Sequence, residues 1–588
     1  MHPPRPPLAL TIGITGHRQI APDHGETIIA ALDRLFARIA ARVTAIGAAH
    51  ADVFANTEPD LTLVSPLAEG ADQIAAEAAL RAGFRLQVLQ PFAADEYRKD
   101  FTGAALERFD ALLARADRVC ALPATRALGP RGYILAGEVT IAQADILVAI
   151  WDGAEARGPG GTADIVELAI RRATPVIHLH AKDEASGGII WSGFDEIASE
   201  YLRRDDIVPR PLDSAALDVL IDGLVAPPYG AGLPVFLTER ERTRRWRIEW
   251  PMMLAMMGVQ APPRTTLRAP GYADAAAGDW RRYRAGMEPC CGPLDRMERL
   301  EASFAWADGL AQHYAHVFRS GVVLNFAGAA LAVILSLLSF PLPGLKEPLL
   351  VAELLTIGAV IANTWFGTRQ EWHRRWLDYR FLAEQLRPLR SLKLLGAGSI
   401  TVQVRIAPQR WTHWYAQAIW RTLGVPLTLT PAGHARLTEQ VASLELDGQV
   451  AYHRATAHRM HTLDHRLHLV GMTLFVLTIL IGAGTLAGLV FAYAHVKPIA
   501  TLLGMLSAAL PTLGAAIFGI RAAGDFAGTA ARSHDTATHL AHIAGMLRRS
   551  GTDHGVAARS AEEAAATMLA DLAEWRTSYR HRKLAIPS

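Results

Sequence analysis

The chain has 588 residues, 51% of them hydrophobic, and a formal net charge of +2 from 59 Lys+Arg and 57 Asp+Glu. Such a length exceeds what one hydrophobic core supports, and the near-balanced charge argues against a polyanion-binding surface, so no nucleic-acid partner is expected. The three cysteines, Cys120 and the adjacent Cys290-Cys291, give no disulfide framework and fit a reducing compartment.

The first residues, MHPPRPP, lead directly into a strand pattern and do not read as a signal peptide. Residues 8–14 (LALTIGI), 61–64, 85–89, 118–122, 146–150 and 176–179 are short apolar runs rich in branched residues. Helical pattern lies between most of them, including Ile28–Ile46 and a helix ending at Arg81. Strands alternating with helices predict an α/β, Rossmann-like domain with a parallel sheet and ligand sites at the strand carboxyl ends.

Three of those ends carry suitable chemistry. The first offers Gly13, Thr15, Gly16 and Arg18; the second Ser65, Glu69, Gly70 and Asp72; the fifth Asp152, Gly160, Gly161 and Thr162. Glycines at 160 and 161 are expected at positive φ, letting phosphate oxygens approach backbone N–H groups, with Thr162 capping the helix that follows. Arg18 suits bidentate phosphate contact or an ion pair with Asp23 or Glu26. Asp152 suits a ribose hydroxyl or a turn before Gly153, and His17 a loop hydrogen bond.

The run VSPLAEGADQIAAEAAL resembles the strand-to-helix turn of the DNA-processing protein A family, and GPGGTADIVELA resembles the phosphate loop of the Lonely Guy nucleotide phosphoribohydrolases. Both belong to the SLOG superfamily of Rossmann-like domains, and the resemblance covers about residues 8–180. It implies a nucleotide or NAD-derived ligand, with no cofactor required. The Lonely Guy loop places its catalytic acid soon after the threonine. Here the acid is displaced to Glu167, a weak catalytic candidate, so binding is expected more than hydrolysis.

Residues 211–294 read as an irregular connector, and the run Arg242-Thr243-Arg244-Arg245-Trp246-Arg247 as a basic segment that is either solvated or, as the lesser alternative, touches anionic lipid headgroups. Beyond it the class changes to all-α. Residues 321–340 and 349–366 form one apolar pair, and 469–493 and 499–520 a second. Each run is about long enough to cross a hydrocarbon core of roughly 30 Å. Segment 295–400 therefore holds a helix, the first hairpin and a cytosolic helix, 401–450 a cytosolic connector, and 451–588 a helix, the second hairpin and closing helices. Arg319, Arg369, Arg374, Arg375, Arg380, Arg459, Arg466 and Arg521 flank the runs on one side, whereas the tight turns hold only Lys346 and Lys497. The positive-inside rule then puts both termini in the cytosol of a multi-pass protein of the bacterial inner membrane.

The hairpins, with Trp372–Arg380, Ala383–Arg387 and the closing helix from Ala561 to Trp575, resemble SLATT domains, which are often fused to SLOG domains in bacterial conflict systems. That resemblance implies a membrane-perturbing or pore-forming effector, and a homo-oligomer is expected. Gly484-x-x-x-Gly488 offers close helix approach, and Asn363 and Thr364 offer helix-bridging or pore-lining groups. His458, His461, His465 and His468 recur at helical spacing; His461 and His465 are weak metal candidates in what reads mainly as a polar stripe. The reading is a nucleotide-responsive domain controlling a four-span effector. Its rivals are a membrane-tethered nucleotide or NAD hydrolase and a structural membrane scaffold.

Overall fold

The computed structural model describes residues 2–20, 22–155, 158–181, 187–194, 203–244, 246–261, 269–399, 410–579 and 584. Its N-terminal part is a seven-stranded sheet. In chain order the strands are β1 (Ala9–Gly16), β2 (Asp60–Ser65), β3 (Arg85–Gln90), β4 (Arg118–Ala121), β5 (Ile146–Trp151), β6 (Val176–His180) and β7 (Gly188–Ile190), arranged spatially as β4-β3-β2-β1-β5-β6-β7. The pairs among β1 to β6 are parallel, and β7 runs antiparallel to β6. The six predicted strands are all present. β7, three residues long, is additional.

Alternation along each strand assigns the two faces. Ile146, Val148 and Ile150 of β5 enter the same core as Leu32, Phe36 and Ile39 of the helix Pro22–Ala49. Leu147, Ala149 and Trp151 face the other way, onto Ile165, Val166 and Ala169 of the helix Thr162–Arg171. Both faces are therefore buried, as a parallel sheet requires.

The stretch read as an irregular connector instead holds helices at Ser214–Val225, Gly232–Leu237, Glu249–Met256 and Tyr272–Cys291. Proline and glycine between them break the pattern into pieces too short for periodicity to stand out. The helix Glu298–Leu338 then runs unbroken for 41 residues, joining a buried soluble half to an apolar half. Lys346–Arg369, Asp447–Phe491 and Ala500–Gly524 complete four helices long and apolar enough to cross a membrane. They pair as the two predicted hairpins, and the first and fourth also pack together.

Inside the first hairpin Asn363 Nδ2 donates to Asn325 Oδ1 (2.7 Å) and to the Gly321 carbonyl (3.1 Å), while Asn325 Nδ2 donates to Thr364 Oγ1 (2.8 Å). Asn363 and Thr364 are thus interhelical bonding groups. The glycine pair behaves otherwise. Gly484 has no neighbour where a Cβ would stand, and Gly488 makes room for Val496 of its own hairpin turn.

The soluble half and the sheet share one hydrophobic core. Phe54 meets Trp414 at 5.7 Å between ring centroids, and Trp414 Nε1 donates to the Val225 carbonyl (2.9 Å). The open edge of β4 is covered by residues 425–429: Thr428 Oγ1 donates to the Val119 carbonyl (3.1 Å) and accepts from Ala121 N–H (3.0 Å). Arg421 Nε donates to Asp145 Oδ1 (2.8 Å), both nearly buried, and Asp145 Oδ2 accepts from Thr11 N–H (2.9 Å). Removing one member strands the other charge. Arg421→Ala should therefore cost about 3–5 kcal/mol of stability, measured as thermal or denaturant unfolding of the solubilised chain. Adding Asp145→Asn should restore part of that loss, as expected for coupled neighbours.

Candidate functional site

β1 pairs with β2 on one side and β5 on the other: the chain builds outward through β2, β3 and β4, then crosses back to β5, so the direction of strand addition reverses at β1. A crevice opens beyond the carboxyl ends of strands at such a reversal. Here it is a cavity of about 430 Å³. Thr15, Gly16, Arg18, Asp72, Asp152, Gly160, Gly161 and Thr162 all line it, drawn from three segments far apart in sequence.

Gly13, Ser65, Glu69 and Gly70 are not among the lining residues. Gly13 lies within β1, where an added Cβ would stand 3.0 Å from that of Ala144. Ser65 Oγ is buried and accepts from Leu67 N–H (2.9 Å), and Glu69 is exposed. Gly70 has φ +86°, and a Cβ there would come 2.2 Å from the Arg18 carbonyl oxygen. Its role is to let the loop after β1 sit against the helix Ala71–Arg81. Leu67, buried and at φ +57°, stores strain in the same turn.

The glycine loop corrects two expectations. Gly160 has φ +79°, but Gly161 has φ −67° and is itself the N-cap of the helix that Thr162 begins. Gly160 N–H already donates to Asp164 Oδ2 (2.8 Å), and Gly161 N–H to the Gly158 carbonyl (3.2 Å). The aspartate in the first helical turn thus occupies part of the expected phosphate cradle. The donors left at this helix end are the Thr162 and Ala163 amides, which lack intrahelical partners by position and border the cavity.

Asp72, in the first turn of the helix Ala71–Arg81, is 4% exposed and accepts from Ala68 N–H (3.2 Å). Burial pushes its carboxyl up to about 7, against the opposing pull of that hydrogen bond and of Arg18. Arg18 is exposed and lies 5.4 Å from the Tyr133 ring centroid. Among the described residues it forms no ion pair with Glu26, and the Asp23 side chain is outside the described set. His17 Nε2 lies 3.1 Å from Asp152 Oδ1 and accepts from the Asp152 N–H (3.2 Å), bridging the ends of β1 and β5. Asp152 Oδ1 also accepts from Ala154 N–H (3.3 Å), so its turn-forming role is present too.

Sequence reading did not single out Tyr97, Tyr133, Trp151, Thr140 or Glu155 as lining residues. Tyr97 is buried, and burial together with the Asp72 charge keeps its hydroxyl protonated. Tyr133 donates to Asp100 Oδ2 (2.6 Å), and Trp151 Nε1 donates to the Ala154 carbonyl (2.8 Å). Trp151, the last residue of β5, carried a readable signal. Tyr133 did not, since its helix Pro130–Gln143 contains no ligand motif.

Glu167 faces away from this chemistry: it is absent from the cavity lining and accepts from Arg204 N–H (3.3 Å). His461 and His465 are exposed on the helix Asp447–Phe491, and among the described residues no group of three or more His, Cys, Asp or Glu could hold a metal ion.

The Asp72 shift has a definite sign. A carboxyl raised in the folded chain binds its proton more tightly there, so stability falls as pH rises from the unfolded value near 4 to about 7. Asp72→Asn should therefore unfold ~3 °C or more above the parent at pH 8 and no higher at pH 4.5. An equal gain at both pH values would remove Asp72 ionisation as its cause.

Comparison with protein-family models gives no match to this chain, and comparison with curated protein sequences gives none either.

Proposed function

We propose that this chain is a membrane-bound sensor-effector, in which a nucleotide-derived ligand in the β1–β5 crevice controls the four-span region. The observation that supports it most is a physical route between the two. The helix Pro130–Gln143 lines the cavity through Tyr133, Ala136, Gly137 and Thr140. At its far end Gln143 Oε1 accepts from Lys393 Nζ (2.6 Å), and Gln143 Nε2 donates to the Ala397 carbonyl (3.0 Å). Lys393 belongs to the helix Leu389–Leu394, which follows Trp372–Leu386 and hence the second span. Burial drives the Lys393 amine well below its usual range, and it sits 3.7 Å over the Trp420 ring. A ligand that shifts the cavity-lining helix would move a side chain bonded to Leu389–Leu394, whose neighbour Trp372–Leu386 packs along the first span helix.

The charge of the cavity narrows the ligand. Asp72, Asp152 and Glu155 line it with Arg18, which favours a nucleoside or a singly phosphorylated species over a polyphosphate. Tyr97, Tyr133 and Trp151 offer aromatic surface to a base. Hydrolysis of a nucleotide or NAD-derived glycosidic bond is a second reading, favoured by Asp72 near neutrality rather than by Glu167. A role in bacterial defence and a homo-oligomeric assembly extend the proposal, and so does placement in the inner membrane with both termini cytosolic.

Mass spectrometry of small molecules carried through purification of the full chain should find a nucleotide-derived compound, reduced at least ~10-fold by Arg18→Ala. Recovery of product alone by the parent, and of intact compound by Asp72→Asn, would indicate the hydrolase. For coupling, Gln143→Leu should retain the compound yet lose ligand-dependent dye leakage from liposomes. Unchanged leakage would exclude this route. Reporter fusions at Gly344 and Lys497 should read as outside, and an inside signal at either would overturn the orientation.

A further inference from the structure

The segment Trp246–Met257 touches all four span helices or the residues that border them. Arg247, 4% exposed, donates through Nη1 to Asn363 Oδ1 (2.7 Å) near the end of the second span, and pairs with Glu249 at 2.9 Å. Trp250 N–H donates to Ser320 Oγ (3.3 Å) at the start of the first span, and its ring lies 5.9 Å from Phe526, just past the fourth. The Met257 carbonyl accepts from Arg466, just before the third. Met253 and Leu254 are buried among Val323, Leu463, Leu467 and Ile520.

These contacts fix the direction of the segment. It meets the second span, then the first and fourth, then the third, always at the ends nearer the α/β domain. An element that visits different spans at one level runs across them, in the plane of the bilayer. The helix Glu249–Met256 covers about 12 Å at 1.5 Å per residue, comparable to the 8–10 Å between neighbouring packed helices.

Its inner side is therefore committed to the bundle, and its outer side is not polar. Ile248, Met252 and Met256 are exposed at four-residue spacing, forming one helical stripe, and Trp246 beside them is 67% exposed. The exposed Arg242 and Arg244 precede the stripe. Beyond it along the spans lie exposed Leu469, Met472, Phe366 and Trp365, so the stripe continues the apolar surface that faces lipid.

We propose that Trp246–Met256, a short lead-in followed by the helix Glu249–Met256, lies in the plane of the membrane, seated in the headgroup layer on the domain side, with Trp246, Ile248, Met252 and Met256 inserted toward the acyl chains. An amphipathic helix with apolar residues on one face, arginines at the rim and a tryptophan at the boundary fits that layer. The end of the basic run, for which lipid contact is the lesser of two readings from sequence, then begins the place where the soluble half rests on the bilayer. Through Arg247, its seating is tied to the polar cluster inside the first hairpin.

The test places a nitroxide label at Met252 or Met256 of the full chain in nanodiscs containing anionic lipid, with Val208 of the α/β domain, 77% exposed, as the aqueous reference. Collisions with oxygen should dominate at 252 and 256, and collisions with a water-soluble nickel complex at 208. Nickel access at 252 and 256 matching that at 208 would overturn the proposal. Dipolar broadening between labels that survives dilution into single-copy nanodiscs' worth of lipid would also overturn it, by assigning the face to a second copy. If a label perturbs folding, the Met252→Glu/Met256→Glu variant decides. It should fold normally in detergent and lose stability on transfer to the same nanodiscs, and equal stability in both would count against insertion.

Discussion

A buried carboxylate fixes how the spans meet the soluble half. Glu239, 4% exposed, accepts from the hydroxyls of Tyr314 (2.7 Å) and Tyr379 (3.0 Å) and pairs with Arg375 at 2.8 Å. A charge taken out of water is tolerable only with all its donors in place. Those donors come from the first span helix and from the helix after the second span, while Glu239 follows the helix Gly232–Leu237. The hairpin's lower ends and the chain entering it are thus held in one register. Burial, together with this charge, pushes Tyr314 up to about 12, so the donor remains protonated across the neutral range.

The rigidity of that junction gives the cavity its meaning. A crevice at a strand-order reversal is common to open α/β sheets. In this chain one wall of the crevice is a helix whose opposite end bonds to the helix Leu389–Leu394, which is separated from the second span helix by Trp372–Leu386. The Lys393–Gln143 contact lies in a buried setting with little water to absorb a displacement. Packed interiors are bistable more readily than they are compliant, which makes such a contact a suitable transmitter.

Much of this was legible in the sequence. Six strands stood out because parallel strands buried on both faces are continuous apolar runs, and the spans because a run such as 321–340 is too long and apolar for a soluble core. Three motifs at strand ends converged because strand carboxyl ends converge. What escaped depended on tertiary packing. Gly160 and Gly161 are indistinguishable as letters, yet only one takes positive φ, because Asp164 closes the loop onto it. The Gly484–Gly488 spacing promised a helix contact, but which face meets a partner is set by the whole bundle. Tyr97 and Tyr133 reach the cavity from elements with no motif to mark them. The connector helices were hidden by their shortness.

The strip of chain at 425–429 that covers β4 carries a consequence for biogenesis. The sheet is complete by Ile190, yet its outer edge acquires a cover only from residues more than two hundred positions later. Between those points in synthesis, the first hairpin must already have left the ribosome for the membrane. A nascent chain therefore presents unpaired β4 amides and carbonyls throughout that interval, and an open strand edge invites pairing with other chains. Covering of that edge is in effect a late step in the order of synthesis, coming after the residues of the first hairpin.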